Sequence, residues 1–393
     1  MTQHHPPVTP ATTPPATRAR LFFVDNLRVF LTVLVILHHV AVTYGNIPLW
    51  FYTEPAQDPT GGLLDVFVIL NQTFFMGLFF LLAGYFVPGA VDRRGGRPFL
   101  RERMVRLGVP LLLFVVLLRP LAMAPAHAQL LAADPSLSYW MLYVFGIDPG
   151  PLWFVEVLLV MSLVYVALRS LRERRPAVVT SALERAAARP ADSAPLRWLG
   201  PVVLFAVGLA LLTFAWRFAF PAPYWPVVGL PSPGYLPQYA ALFTVSVLAY
   251  RNNWLVRLPN SAGWGGLGLA ATGLVAMAAV LVIVGTDSLT PGSWQALAQI
   301  LTENLFAMGV VVALLVSFRR LFDRSNRFLE FLSDNAFAVY VLHAVVLVAL
   351  GVALSGWEAS ALTKFAGMAV LAVPLCWVVA AAVRAVPGAR RVL

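Results

Sequence analysis

Long apolar runs broken by short polar segments dominate the chain from residue 22 to residue 386. A bilayer core of about 30 Å asks for roughly 20 apolar residues per helix. With that ruler the pattern predicts ten membrane helices, at 22–44, 64–87, 104–124, 150–170, 199–219, 235–250, 264–285, 295–317, 332–353 and 363–386, of which the sixth is the shortest. The fold class this implies is an all-α polytopic bundle, since a chain in lipid must satisfy its backbone hydrogen bonds within each segment. Residues 1–19, rich in Pro and Thr, contain nothing able to form a core and read as a disordered tail. The first apolar run carries Asp25 and Arg28, is too long for the apolar part of a signal peptide, and lacks a small-residue cleavage site after it. It is expected to stay as a membrane helix. The expected organisation is a tail at 1–19, a transmembrane domain at 20–386 and a short cytoplasmic tail at 387–393.

Composition agrees with this pattern and removes alternatives. Of 393 residues 60% are hydrophobic and 12% charged, with a mean hydropathy of +0.78, whereas a soluble domain carries about 25% charged residues. The net charge of +10 would suit nucleic acid only if the basic residues shared one folded face. Instead they alternate with the spans. One set of segments holds Arg20, then Arg93, Arg94, Arg97, Arg101, Arg103 and Arg106, then seven arginines between 169 and 197, and later Arg251, Arg257, Arg319, Arg320, Arg324, Arg327, Arg390 and Arg391. The opposite segments carry Glu54, Asp58, Asp134, Asp148 and Asp287 with almost no base. Because cytoplasmic loops are enriched in Lys and Arg, the bias places both termini in the cytoplasm and makes the lipid bilayer, not nucleic acid, the partner. The single cysteine, Cys376, excludes an internal disulfide and a multi-thiolate zinc site, and no metal is expected.

Ionisable side chains at membrane depth are costly and therefore candidates for function. They are Arg28, His38, His39, Glu156, Glu303 and His343. At about 100° per residue, Arg28 and His39 lie within roughly 20° of one helix face and about 16 Å apart, while His38 points roughly 80° away from Arg28. Arg28 could equally be an interfacial anchor paired with Asp25. His343 lies about 15 Å along the ninth span from Ser333, at a depth similar to His39, and is open to a catalytic or a purely interhelical role. Glu156 and Glu303 enter spans four and eight from the outer face to roughly 10 Å, where each could orient a histidine, move protons or pair with Arg217 or Arg119. On the other face Arg103 and Arg106 stand at i and i+3 and could converge on a phosphate. Trp50, Tyr52, Tyr139, Trp140 and Tyr143 in the outer loops suit an interfacial aromatic belt better than sugar stacking.

Together these segments resemble the acyltransferase 3 family over roughly residues 20–386. The first helix of that family reads Asp-x-x-Arg and, ten intervening residues later, His, here Asp25, Arg28 and His39. LFFLLAGYF at 78–86 is similar to its Phe-Phe-x-x-Ser-Gly segment, with Ala83 in place of the serine. Arg103 and Arg106 match its Arg-x-x-Arg motif, PLWFVEVLL at 151–159 its Leu-Trp-Phe segment, and Ser333, Tyr340 and His343 its late Ser, Tyr, His pattern.

The resemblance implies transfer of an acyl group, usually acetyl from acetyl-CoA, to a hydroxyl of an extracytoplasmic carbohydrate or similar acceptor. Arg28, Arg103 and Arg106 would then hold acyl-CoA, His39 would be the general base, and Glu156, Glu303 or His343 would orient it. An acyl-histidine intermediate is a second route. Two other classes fit the bare pattern. A proton-coupled lipid or saccharide carrier would use His and Glu as relays and tolerate Arg106→Gln, and a non-catalytic scaffold would lose only stability in His39→Ala. The use of 27 arginines against one lysine points to a GC-rich genome and the inner membrane of a bacterium.

Overall fold

The computed structural model describes residues 20–47, 50–173, 197–220, 233–285 and 290–393. The expected tail at 1–19, residues 174–196 of the arginine-rich loop and Asp287 lie outside the described residues. Among the described residues there is no strand, and ten helices follow the apolar runs. They are α1 (Phe22–Tyr44), α2 (Gly61–Tyr85), α3 (Gly96–Ala133), α4 (Trp153–Glu173), α5 (Leu199–Arg217), α6 (Leu236–Asn252), α7 (Ser261–Val284), α8 (Trp294–Leu321), α9 (Arg327–Ala353) and α10 (Ala361–Ala385). Nine of these are long and apolar enough to cross a membrane. The exception, α6, has 17 residues, fewer than the roughly 20 that a straight crossing asks for. It is the sixth apolar run, the shortest of the ten expected.

Helix directions show what α6 does. α1 and α2 are antiparallel, with Gly45 against Leu64 and Asp65, and His38 against Asn71. α7 and α8 are antiparallel, with Gly263 against Val316 and Gly273 against Phe306. α5 also runs antiparallel to α8, since Trp198 clusters with Val316 while Arg217 meets Glu303. α5 and α7 therefore point the same way, so the segment between them must carry the chain back. α6 does this, lying parallel to α2 with Gln238 and Leu242 at Gly77 and Ser246 at Gly84. The turn after α8 holds the start of α1, Phe23 N donating to Asp323 Oδ1 at 3.1 Å and Asn26 Nδ2 to the Phe322 and Arg324 carbonyls at 2.6 and 2.9 Å. This docking sets α1 and α9 side by side and parallel.

α1, α8 and α9 are the most buried helices, and α7 the least, with Val275, Val282 and Ile283 turned outward. Against its neighbour, α7 presents Gly266 and Ala270 to Gly309 and Ala313 of α8, and Gly273 to the backbone of Phe306. A Cβ at Gly266 would lie 2.8 Å from the Ala313 nitrogen, and at Gly309 it would fall on the backbone of Ala270. Small residues here let two backbones approach closely, as membrane helix packing requires. α3 is the least regular helix: π turns at Met104–Gly108 and Phe114–Leu118 interrupt it, and Pro110, Pro120 and Pro125 remove backbone donors.

The close seam makes a stability prediction. Gly309→Val should destabilise the detergent-solubilised protein by about 1–3 kcal/mol through overpacking. Gly268→Val, where a Cβ meets nothing within 4 Å, should stay within about 0.5 kcal/mol of wild type. Thermal or denaturant unfolding midpoints of the two variants check this.

Candidate active site

α1 ends at Gly45, and the chain then turns back into the bundle instead of running over its surface. Glu54 N donates to the Thr43 carbonyl at 2.7 Å, and Asp65 accepts from Asn46 N and Nδ2 at 2.8 and 2.7 Å. Lys364, the one lysine of the chain, pairs with Glu54. Asp58 accepts from the Thr60 hydroxyl and from Ala361 N at the start of α10, and these bonds hold its carboxyl below the usual carboxylate range. The loop so fastened drives Trp50 inward. Its ring stacks on His39 with centroids 3.8 Å apart and lies 5.9 Å from His343. This corrects the belt reading for Trp50. Tyr139 stacks on Tyr143 and Trp140 meets both edge to face, with Trp140 and Tyr139 exposed.

His39 and His343 come together, their ring centroids 5.1 Å apart. His39 Nδ1 is 2.9 Å from the Val35 carbonyl and His343 Nδ1 is 2.6 Å from that of Tyr340. A carbonyl only accepts, so both rings carry their proton on Nδ1 and leave Nε2 as a bare acceptor. Backbone carbonyls one turn earlier, not carboxylates, orient these histidines. Among the described residues, His343 Nε2 and Trp50 Nε1 are buried without a hydrogen-bond partner. The Tyr340 hydroxyl donates to the Pro151 carbonyl, fastening α9 to the start of α4.

A cavity of about 540 Å³ opens beside His39, bordered also by His38, Trp50, Trp153, Arg119 and Tyr340. Its size lies within the range of small-molecule sites. His38, which the helical arithmetic turned away from the Arg28 stripe, faces this cavity because the opening spans both sides of the helix end. Arg119 is buried and pairs with Asp148 through Nε and Nη2 at 3.0 and 2.7 Å. In the sequence, sugar stacking by Trp50 was the less favoured alternative to an interfacial belt, and Arg119 looked only like a partner for a glutamate.

The two glutamates part company. Glu303 pairs with Arg217 at 3.2 Å, both side chains largely buried and Arg217 lying over the Tyr235 ring. Glu156, one turn past Trp153 on α4, does not border the cavity, and its Oε2 is buried without a hydrogen-bond partner among the described residues. Neither is placed to orient His39.

At the other end of α1, Arg28 lies 3.6 Å from Asp25 and over the Phe86 ring. Arg103 lies over Phe99 and close enough to Arg28 and Arg106 for mutual repulsion. Arg106 lines a separate pocket of about 530 Å³ with Arg97, Arg101, Glu102 and Arg391, which Arg103 does not border. Arg106 lies within the π turn Met104–Gly108, which begins directly after Arg103. The two motif arginines stay near one another, but only Arg106 borders this pocket, in a row with Arg97 and Arg101. Among the described residues no three His, Cys, Asp or Glu side chains gather to hold a metal ion.

A family model described as an acyltransferase domain matches residues 21–381 of the chain. No curated protein and no solved structure shows significant similarity to it.

The Arg217–Glu303 pair supplies a second prediction. Glu303→Leu should cost about 3 kcal/mol by leaving a buried guanidinium unpaired, whereas Arg217→Leu combined with Glu303→Leu should recover most of that loss. Unfolding of the two single variants and the double variant checks this.

Proposed function

Because the chain belongs to the acyltransferase 3 family of membrane acyltransferases, we propose that it moves an acetyl group from cytoplasmic acetyl-CoA to a hydroxyl of an extracytoplasmic carbohydrate. The proposed setting is the inner membrane of a bacterium. One observation carries this reading: His39, with Nε2 unprotonated, borders a cavity of about 540 Å³ inside the bundle. The acceptor hydroxyl attacks the thioester carbonyl there. His39 Nε2 takes the hydroxyl proton as the new C–O bond forms and returns it to the sulfur as the C–S bond breaks, a task suited to an imidazole. Trp50 and Trp153 offer flat apolar faces of the kind sugar rings stack on, and Arg119 with Asp148 offers a donor and an acceptor for hydroxyls.

The donor enters from the opposite end in this proposal. Arg97, Arg101, Arg106 and Arg391 bring four guanidinium groups to one pocket against the single carboxylate of Glu102. Such a pocket suits the phosphates of coenzyme A, since charge-assisted contacts to phosphate are among the strongest hydrogen bonds. Arg103 and Arg28 continue the positive potential toward α1, which rises about 16 Å from Arg28 to His39. The pantetheine arm would follow that path. His343, whose Nε2 faces the same aromatic cluster, would hold the base in place through ring contact.

Purified protein in detergent, given radiolabelled acetyl-CoA and crude cell-envelope glycans, tests the reading. Wild type should transfer label, and folded His39→Ala should lose it by about 10²–10⁴-fold while still binding acetyl-CoA. Transfer that persists in His39→Ala, or is absent from wild type, overturns the assignment. In the same assay Arg106→Gln should raise the KM for acetyl-CoA about tenfold with little change in kcat.

A further inference from the structure

The histidine beside the base has a different partner and hence a different chemistry. His38 is buried, stacks on Phe75 at 5.0 Å and meets His39 edge to face at 5.4 Å. Its Nδ1 lies 3.3 Å from Nδ2 of Asn71 on α2. With the Asn71 amide presenting its NH₂ group, which only donates, Nδ1 of His38 is the acceptor and the ring proton belongs on Nε2. For His39 the logic is inverted: the Val35 carbonyl claims an Nδ1 proton and leaves Nε2 bare. Two adjacent neutral imidazoles bordering one cavity are thus held in opposite tautomers, one by the backbone of its own helix and the other by a side chain of the next.

We propose that His38 is a catalytic residue that donates a hydrogen bond from Nε2 to the acyl carbonyl oxygen while His39 acts as base. The proposal rests on the acyl-transfer reading given above. When the acceptor oxygen bonds to the carbonyl carbon, the C=O pair moves onto oxygen, and that oxyanion accepts the His38 hydrogen bond without taking its proton. The proton lost by the acceptor goes to His39 Nε2. When the carbonyl re-forms, the C–S bond breaks, the electron pair leaves with sulfur, and His39 returns the proton to the thiolate. His38 ends each cycle in the tautomer in which it began. A neutral imidazole N–H suits this role because it is fixed in advance by packing and lies out of bulk water, where one such donor counts most. Phe75 and Asn71 supply the fixing from α2.

Two measurements test the proposal. Solid-state nitrogen-15 NMR of histidine-labelled protein in bilayers, with signals assigned through His38→Gln and His39→Gln, should show His38 protonated at Nε2 and His39 at Nδ1. Finding both residues in the same tautomer overturns the proposal whatever the activity. In the acetyl-CoA and envelope-glycan assay, His38→Phe keeps the stack on Phe75 but removes the donor, and kcat should fall about 100-fold with the KM for acetyl-CoA changed less than twofold. His38→Gln, which restores an N–H, should recover at least a tenth of wild-type kcat. Asn71→Asp, whose carboxylate would claim a proton on His38 Nδ1, should shift the NMR tautomer and lower kcat together. Full activity in His38→Phe alongside an inactive His39→Ala removes the His38 role and leaves the acyl-transfer reading standing. No transfer by wild type removes both.

Discussion

A polar group inside hydrocarbon must find a partner or a wet cavity, and most of this bundle follows from that requirement. Arg217 holds Glu303 and ties α5 to α8. Arg319 closes the turn before α7 by donating to the Leu255, Val256 and Leu258 carbonyls. Arg384 reaches Asn335 and joins α10 to the start of α9. Each of these cations joins helices, which offsets part of the cost of its burial, although Arg217 Nε stays buried without a partner among the described residues. Not every buried polar atom is matched in this way, and one group of unmatched atoms lies around His39. Trp50 Nε1, His343 Nε2 and Asn71 Oδ1 are buried there without partners among the described residues. Of these, Trp50 borders the cavity, so its Nε1 is available to something that arrives there later.

Rigidity around that site comes from both sides. The loop after α1 is fastened by Asp65 of α2, by the Thr43 carbonyl of α1 and by contacts of Glu54 and Asp58 with the start of α10. The ring it delivers, Trp50, closes over His39 from above. From the side, Tyr340 ties α9 to the turn that starts α4, and His343 rides on the same helix turn. Four separated stretches of chain therefore fix the positions of a few rings. The arginine end is built differently, on the irregular α3 and the chain terminus, where side chains are more exposed and charge rather than shape is the dominant property.

The number of helices, their rough limits and the depth of His39 and His343 were legible from the apolar runs and from 1.5 Å of rise per residue. α6 was legible only as the weakest run. Its place as the return between α5 and α7 emerges from its contacts with Gly77 and Gly84 of α2. Helical arithmetic also put Arg103 and Arg106 on one face, yet only Arg106 borders the arginine pocket, and a π turn begins directly after Arg103. No sequence pattern announces such a turn. The glutamates misled for a related reason, because depth says that a carboxylate needs a partner but not which partner it has.

What the sequence by itself determined was which segments leave water, how often the chain turns, and which ionisable side chains reach the interior. Hydropathy and charge act locally along the chain, so a one-dimensional pattern is enough to read them. Tertiary structure decided everything that depends on azimuth and on loop path. It placed His343 of α9 against His39 of α1, brought Asn71 to His38, and sent Trp50 inward from a loop whose aromatic residues read as an interfacial belt. Those contacts join residues separated by tens to hundreds of positions. They are fixed by close packing of side chains against one another, which no local pattern encodes.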